Sequence, residues 1–257
     1  MRRTLLTALA VSMLLGAGLA QAELVQRGDL RISFEGKFNP KELPRDRNAP
    51  VGIQVRGSIA TADGSRPPEL RKIQIGVNRY GSVRTRGLPR CRPGRIQNVS
   101  TEIAKRRCRR AQVGYGSFGA NVDFPTEPSF PFKGRILAFN GWVGGRPAML
   151  LHIHGTIPVR ATTVLIFKIT HPSKGRFGTV FTARIPKIAS DLGYVKQISL
   201  RIDRRFRDDG RRRSYLNARC AAPPGFSGGP FSFARGNFSF ANGQRLAVTL
   251  TRTCRVR

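Results

Sequence analysis

The sequence predicts an all-β protein, an antiparallel β-sandwich or a partly open barrel of about a dozen strands with one short helix inside a disulfide loop. Three observations carry this. Apolar residues recur at every second position from Asp29 onward, the period of a strand with one buried face. The alternating stretches are short and are divided by turns rich in Gly, Pro, Asn and Asp. One stretch alone reads as a helix, so the crossovers that a parallel sheet needs are missing.

In chain order, residues 1–22 read as an export signal. Arg2 and Arg3 give the positive start, and Leu5 to Leu19 is an apolar run too short to span a bilayer comfortably. Ala20-Gln21-Ala22 is a small-x-small site, so cleavage is expected between Ala22 and Glu23. No Cys follows it, which speaks against a lipoprotein. The Arg pair raises twin-arginine export as a variant of the same address, although "RRTLL" matches that signal weakly. No later stretch is apolar for long enough to anchor the chain, so a secreted protein without a transmembrane anchor is expected.

Residues 23–257 are expected to form a single β-rich domain, with a sub-boundary near Leu88 as the alternative. "LRISFEG", "VGIQVRGSIAT" and "RKIQIGVNR" come first, joined by the loops "NPKELPRDRNAP" and "ADGSRPP". Three strands alone bury little, which favours one body. The alternation resumes with "AQVGYGSFGANV", "GRILAFNGWV", "AMLLHIHGTI", "TTVLIFKITH", "GTVFTARIP", "YVKQISLRID", "SYLNARC", "PFSFARGNFSFA" and "RLAVTLTRTC". The helix is "STEIAKRR", residues 100–107. Ser100 can cap it, Glu102 suits its first turn, and its basic end suits the negative end of the helix dipole.

Four cysteines in an exported chain imply two disulfides. Three pairings exist. Cys91–Cys108 and Cys220–Cys254 are expected because each brackets one local unit. Zinc is the competing reading, and no Cys-x-x-Cys spacing supports it.

The charge is extreme. The chain carries 46 Lys and Arg, of which 37 are Arg, against 14 Asp and Glu, for a net charge of +32. Such a surface attracts anions. The densest runs are "KRRCRR" and "RIDRRFRDDGRRR". Arg106, Arg107, Arg109 and Arg110 in the first, and Arg204, Arg205, Arg207, Arg211, Arg212 and Arg213 in the second, are candidate anion-binding residues. Arg forks match phosphate and carboxylate geometry. Neither run is interleaved with the aromatics of a single-strand binder. A solvated arginine surface set by a GC-rich genome is the plain alternative.

Two motifs raise an enzyme reading. "GFSGGP", residues 225–230, differs at Phe226 from the Gly-Asp-Ser-Gly-Gly-Pro loop of trypsin-like serine proteases, with Ser227 at the nucleophile position. Phe226 cannot make the ion pair of the missing Asp. No His precedes His152, and none is followed by Cys, as that family's catalytic His is. The same residues contain Gly-x-Ser-x-Gly, but Pro230 and a strand pattern follow instead of a helix, and no His lies beyond His171. A turn between two strands is the expected reading. In "LHIHG", His152 and His154 share one strand face and could hold a metal if a third ligand approached. A solvated or hydrogen-bonded pair is expected, opposite a buried face carrying Leu151 and Ile153.

The remaining features read as structure. Phe124, Phe130 and Phe132 in "DFPTEPSFPFKG" are expected to pack beneath a loop, and Phe231, Phe233, Phe238 and Phe240 to face the core. Asn98-Val99-Ser100 and Asn237-Phe238-Ser239 are sequons that matter only in a glycosylating host.

The stretches "LPRCRPGRIQNVSTEIAKRRCRRAQVGYG", "FKGRILAFNG", "GYVKQISLRIDRRF", "RRRSYLNARCAAPPGF" and "LTRTCRVR" resemble a group of exported proteins from high-GC Gram-positive bacteria. The resemblance spans most of residues 88–257, including the four cysteines. It implies export and a β-rich build, and brings no activity, cofactor or site residue. The expected function is therefore non-enzymatic: a secreted, strongly cationic protein binding an anionic cell-envelope polymer, anionic lipid or extracellular DNA, without a cofactor. The alternative is a secreted hydrolase using Ser227 or the His152/His154 pair.

Overall fold

A computed structural model describes residues 22–124, 126–157, 160–189 and 192–257. The export signal, but for Ala22, lies outside the described residues.

The chain folds as strands. β1 (Glu23–Arg27), β2 (Leu30–Asn39), β3 (Glu42–Leu43), β4 (Ala49–Pro50), β5 (Gly52–Thr61), β6 (Leu70–Asn78) and β7 (Gly81–Val83) come first. Two helices follow, α1 (Pro93–Ile96) and α2 (Thr101–Cys108), with a 3-10 turn over Arg109–Ala111. The long strands are β8 (Gln112–Val122), β9 (Phe130–Val143), β10 (Arg146–Ile157), β11 (Ala161–Thr170), β12 (Phe177–Arg184) and β13 (Gly193–Ile202). The chain ends with β14 (Arg205–Asp208), β15 (Arg211–Ser214), β16 (Leu216–Ala218), β17 (Gly228–Phe240) and β18 (Arg245–Val256).

Thirteen of these strands form one sheet in the order β1-β2-β5-β13-β8-β9-β10-β11-β12-β6-β17-β18-β3. Every pairing is antiparallel except β18 with the stub β3. The sheet curls into a partly open barrel, so the sandwich alternative gives way to a single layer rolled on itself. Strands from before and after Leu88 interleave in it, since β5 pairs with β13 and β6 lies between β12 and β17.

Period-two alternation makes the barrel's inside apolar and its outside polar. On β2, Leu30, Ile32, Phe34 and Phe38 are buried while Arg31 and Lys37 are exposed. Where the sheet's two ends meet, Phe34 lies edge-on to Phe238 with centroids 6.1 Å apart, and Phe38 stacks on Phe233 at 5.5 Å. Gly36 is needed at this contact, because a Cβ there would press on Leu250 and Phe233. Side chains complete the seam. Arg252 on β18 pairs with Glu23 on β1 at 2.6 Å, and Thr251 N–H donates to the same carboxylate.

One end of the barrel is plugged by a small sheet in the order β4-β16-β7. Tyr215 beside it is fully buried, and the Cys220–Cys254 disulfide ties it to β18. The segment bracketed by Cys91–Cys108 lies outside the barrel, over β9 and β10. Both disulfides are thus the two local pairings. Ser100 caps α2 by accepting from Ile103 N–H, and Ile96 and Ala104 bury a second apolar cluster against Leu137, Phe139 and Leu150. Asn140 fixes where the segment begins. Its buried amide donates to the carbonyls of Thr85, Leu88 and Pro89 at 3.1–3.2 Å. The sequence reading missed α1, whose single turn is too short to show a period.

Candidate functional site

The barrel encloses a cavity of about 490 Å³. Its cause is geometric. About eight strands make a barrel that side chains just fill, and diameter grows with strand number. Twelve antiparallel strands curl here, and their inward side chains do not meet across the middle. Val55, Ile73, Ile75, Val77 and Ile198 therefore point inward yet stay only half-buried, with their free surface facing the cavity. The wall is almost wholly hydrocarbon. Packed interiors hold few voids larger than a water. At about 24 cal/mol per Å³, a sealed void of this size would cost on the order of 10 kcal/mol, comparable with the whole stability of a domain.

The cavity runs between two unlike ends. At the plugged end its lining is Tyr80, Ser82, Leu216 and Arg219, and Arg219 stacks over Tyr80 at 5.1 Å. At the other end lie Lys187, Lys196, Thr162 and Phe132, where β11 and β13 begin and β12 has just ended. Lys187 and Lys196 are exposed, and among the described residues no small sheet crosses this end, which we call the mouth. Among the described residues, every charged side chain that lines the cavity is a cation: Lys187, Lys196 and Arg219. Asp123, a carboxylate at the end of β8 near the mouth, lies 3.8 Å from Arg66 and is not part of the lining.

The two arginine runs, about a hundred residues apart in sequence, come to the same rim. Ile202 at the end of β13 pairs with Gly114 near the start of β8. The hairpin β14–β15 leaves β13 at that point, and the 3-10 turn carrying Arg109 and Arg110 enters β8 there. The strands can approach because Gly114 and Gly116 lack side chains; a Cβ at either would strike a backbone carbonyl of β13. Asp209 and Gly210, both with positive φ, turn the hairpin. Arg207 then stands opposite Arg212, and Asp208 opposite Arg211.

Of the predicted anion-binding residues, Arg106, Arg107, Arg109, Arg110, Arg205, Arg207, Arg211 and Arg212 are exposed. Arg204 and Arg213 are half-buried, with their Nε atoms shielded from solvent. This rim lies at the plugged end, away from the mouth.

The hydrolase motifs are placed apart. The loop before β17 is a turn, with Phe226 N–H bonded to the Pro223 carbonyl and Gly225 at φ +84. Arg45 braces it by donating to the carbonyls of Ala222, Pro223 and Phe226. β17 starts at Gly228, so half of "GFSGGP" is strand, earlier than its Gly and Pro content suggests. Ser227 is exposed, and its carbonyl accepts from Val256 N–H. The three histidines bond elsewhere, His152 to the Val99 carbonyl, His154 to Thr162 and His171 to Thr179.

His152 and His154 do share a face, with rings 6.2 Å apart. The pair is hydrogen-bonded, one of the two expected outcomes, and lies on a covered face: the Cys91–Cys108 segment leaves His152 fully buried and His154 half-buried. Burial holds the His152 imidazole below its ordinary range, against the opposing effect of the Val99 hydrogen bond. Among the described residues, no group of three or more His, Cys, Asp or Glu is placed to hold a metal. One further expectation shifts. Phe124 and Phe130 pack on each other at the mouth end rather than under a loop, while Phe132 reaches the cavity. Trp142 lies beneath the Arg90 guanidinium at 4.0 Å.

The cavity escaped the sequence reading, although one signal for it was present. A dozen alternating stretches are more than a side-chain-filled barrel can use. Among the described residues no helix is long and apolar enough to cross a membrane. Comparison of the chain with protein-family models, with curated proteins and with solved structures finds no match.

Proposed function

We propose that the chain is an exported, non-enzymatic binding protein that docks on anionic polymer or anionic lipid outside the cell through the arginine rim. One observation carries this reading. The register of β13 on β8 gathers two basic runs, distant in sequence, at one end of the barrel. The hairpin also places Arg207 directly across from Arg212. Like charges facing each other across strands destabilise a hairpin. A bound polyanion would relieve that repulsion, and exposed guanidinium forks suit its phosphates or carboxylates. Two disulfides fit the oxidising exterior to which the expected signal at residues 1–22 would deliver the chain.

The test is retention of the purified protein on wall polymer, anionic vesicles and DNA at low and high salt. Retention at low salt that is lost steeply with added salt is expected. Replacing Arg205, Arg207, Arg211 and Arg212 with Ala should weaken it, while the fold stays intact because all four are exposed. No retention at low salt would end the proposal.

A further inference from the structure

We propose that the barrel interior is a binding site for a long-chain amphiphile with an anionic headgroup, its hydrocarbon chain inside the cavity and its headgroup at Lys187 and Lys196. Two independent observations meet here. The space, about 490 Å³, has the volume of a small-molecule site, and its wall is aliphatic and aromatic. Such a wall offers a polar ligand few hydrogen-bond partners, so what enters should be hydrocarbon over most of its length. The mouth then fixes the sign of the headgroup. Its two charged lining residues are exposed lysines, and among the described residues no carboxylate lines the cavity. A carboxylate or phosphate held there keeps contact with water and gains an opposite charge. An ammonium headgroup would meet the like charge of Lys196.

The chain runs inward from the mouth, between Ile198 of β13 and Leu165 of β11, past Val55 and Ile75, toward Tyr80 and Ser82 at the plug. The plug and its disulfide close the far side, so the ligand enters and leaves by the lysine end. This site is separate from the arginine rim, and either can exist without the other.

The chemistry fits a free fatty acid or an anionic phospholipid, and experiment distinguishes these sources. Palmitate, hexadecanol and hexadecyltrimethylammonium are titrated into the purified full chain, with displacement of a fluorescent fatty-acid analogue as the readout. Phosphatidylglycerol is offered separately in vesicles, with native mass spectrometry of the recovered protein. Palmitate should bind as one molecule per chain, about tenfold more tightly than the ammonium, a difference worth about 1.4 kcal/mol. A phospholipid adduct from the vesicles identifies that source, and palmitate alone identifies the other; either supports the site. Lys187→Glu with Lys196→Glu should reverse the preference between palmitate and the ammonium. Ile75→Trp, which fills the middle, should weaken all three ligands. Binding of none of them overturns the proposal. So does equal binding of palmitate and the ammonium that ignores the lysine changes. Loss of palmitate binding on changing Arg211 and Arg212 instead would also overturn it, by moving the site to the rim.

Discussion

Glu23 Oε1 lies 2.6 Å from Nη1 of Arg252, and the second carboxylate oxygen lies 3.1 Å from Nη2. This fork joins β1 to β18, the opposite flanks of the curled sheet, where among the described residues no backbone ladder does. Arg252 also donates to the Gly36 carbonyl of β2, so one guanidinium holds three strands. A barrel without such a clasp would present two unpaired edges.

Glu23→Gln keeps the shape of this contact and removes its charge. The carboxylate is partly exposed, so the expected loss is about 1 kcal/mol in urea denaturation, shrinking in high salt. Arg252→Ala should cost more, about 2 kcal/mol, because the Arg252 side chain is only 12% exposed and its carbonyl acceptor is lost with the carboxylate contact. Equal stability of Glu23→Gln and the parent at low salt would show that apolar packing alone closes the seam.

The two disulfides should fail in different ways. Their sequence separations are 17 and 34, for which loop-closure entropy gives about 3 and about 4 kcal/mol. Cys91→Ser with Cys108→Ser should free the helical segment from β9 and β10, raising amide exchange in α2 while β17 and β18 stay protected. Cys220→Ser with Cys254→Ser should loosen the plug and raise exchange in β16. Identical exchange maps for the two double variants would contradict this division.

The strands, the α2 cap and both disulfides were legible because each rests on local chemistry. Ser100 precedes its helix by one residue, and each cysteine lies beside its own unit. What eluded the sequence depends on curvature and on which outer face is covered. The alternation in "LHIHG" separates Leu151 from His152, but it cannot say that the stapled segment folds over the histidine side. The spacing of "KRRCRR" and "RIDRRFRDDGRRR" likewise gives no sign that Ile202 pairs with Gly114. The cavity is a property of strand number and closure, which no single strand contains.

Tyr215 carries a hydroxyl that the fold does not use. The side chain is fully buried, the hydroxyl has no hydrogen-bond partner, and burial pushes its pKa far above the ordinary value. A buried unpaired hydroxyl lowers stability. Tyr215→Phe should therefore raise stability by about 1 kcal/mol and leave both disulfides and amphiphile binding unchanged. A destabilised Tyr215→Phe would mean that the hydroxyl is bridged by ordered water.

His152 sets a pH dependence. Val99 presents a carbonyl to Nε2, so that nitrogen carries the hydrogen, and Nδ1 is left bare, buried and unpartnered. Charging the ring would put a proton on Nδ1 with no acceptor, beside the second imidazole of His154. Burial, the larger cause, and His154 both lower the pKa, and the Val99 carbonyl and Glu102 only partly oppose them. The unfolded chain's imidazole takes up its proton near 6.5, and the folded one at lower pH. Between those values the unfolded state holds more protons, so stability falls as pH is lowered and is unaffected by this group above that window. The slope is bounded at about 1.4 kcal/mol per pH unit for one proton. His152→Gln, which can still donate to Val99, should remove this slope while keeping the segment docked. Chemical denaturation from pH 7.5 to pH 5 on both proteins measures the difference, and parallel curves would place the acid sensitivity elsewhere.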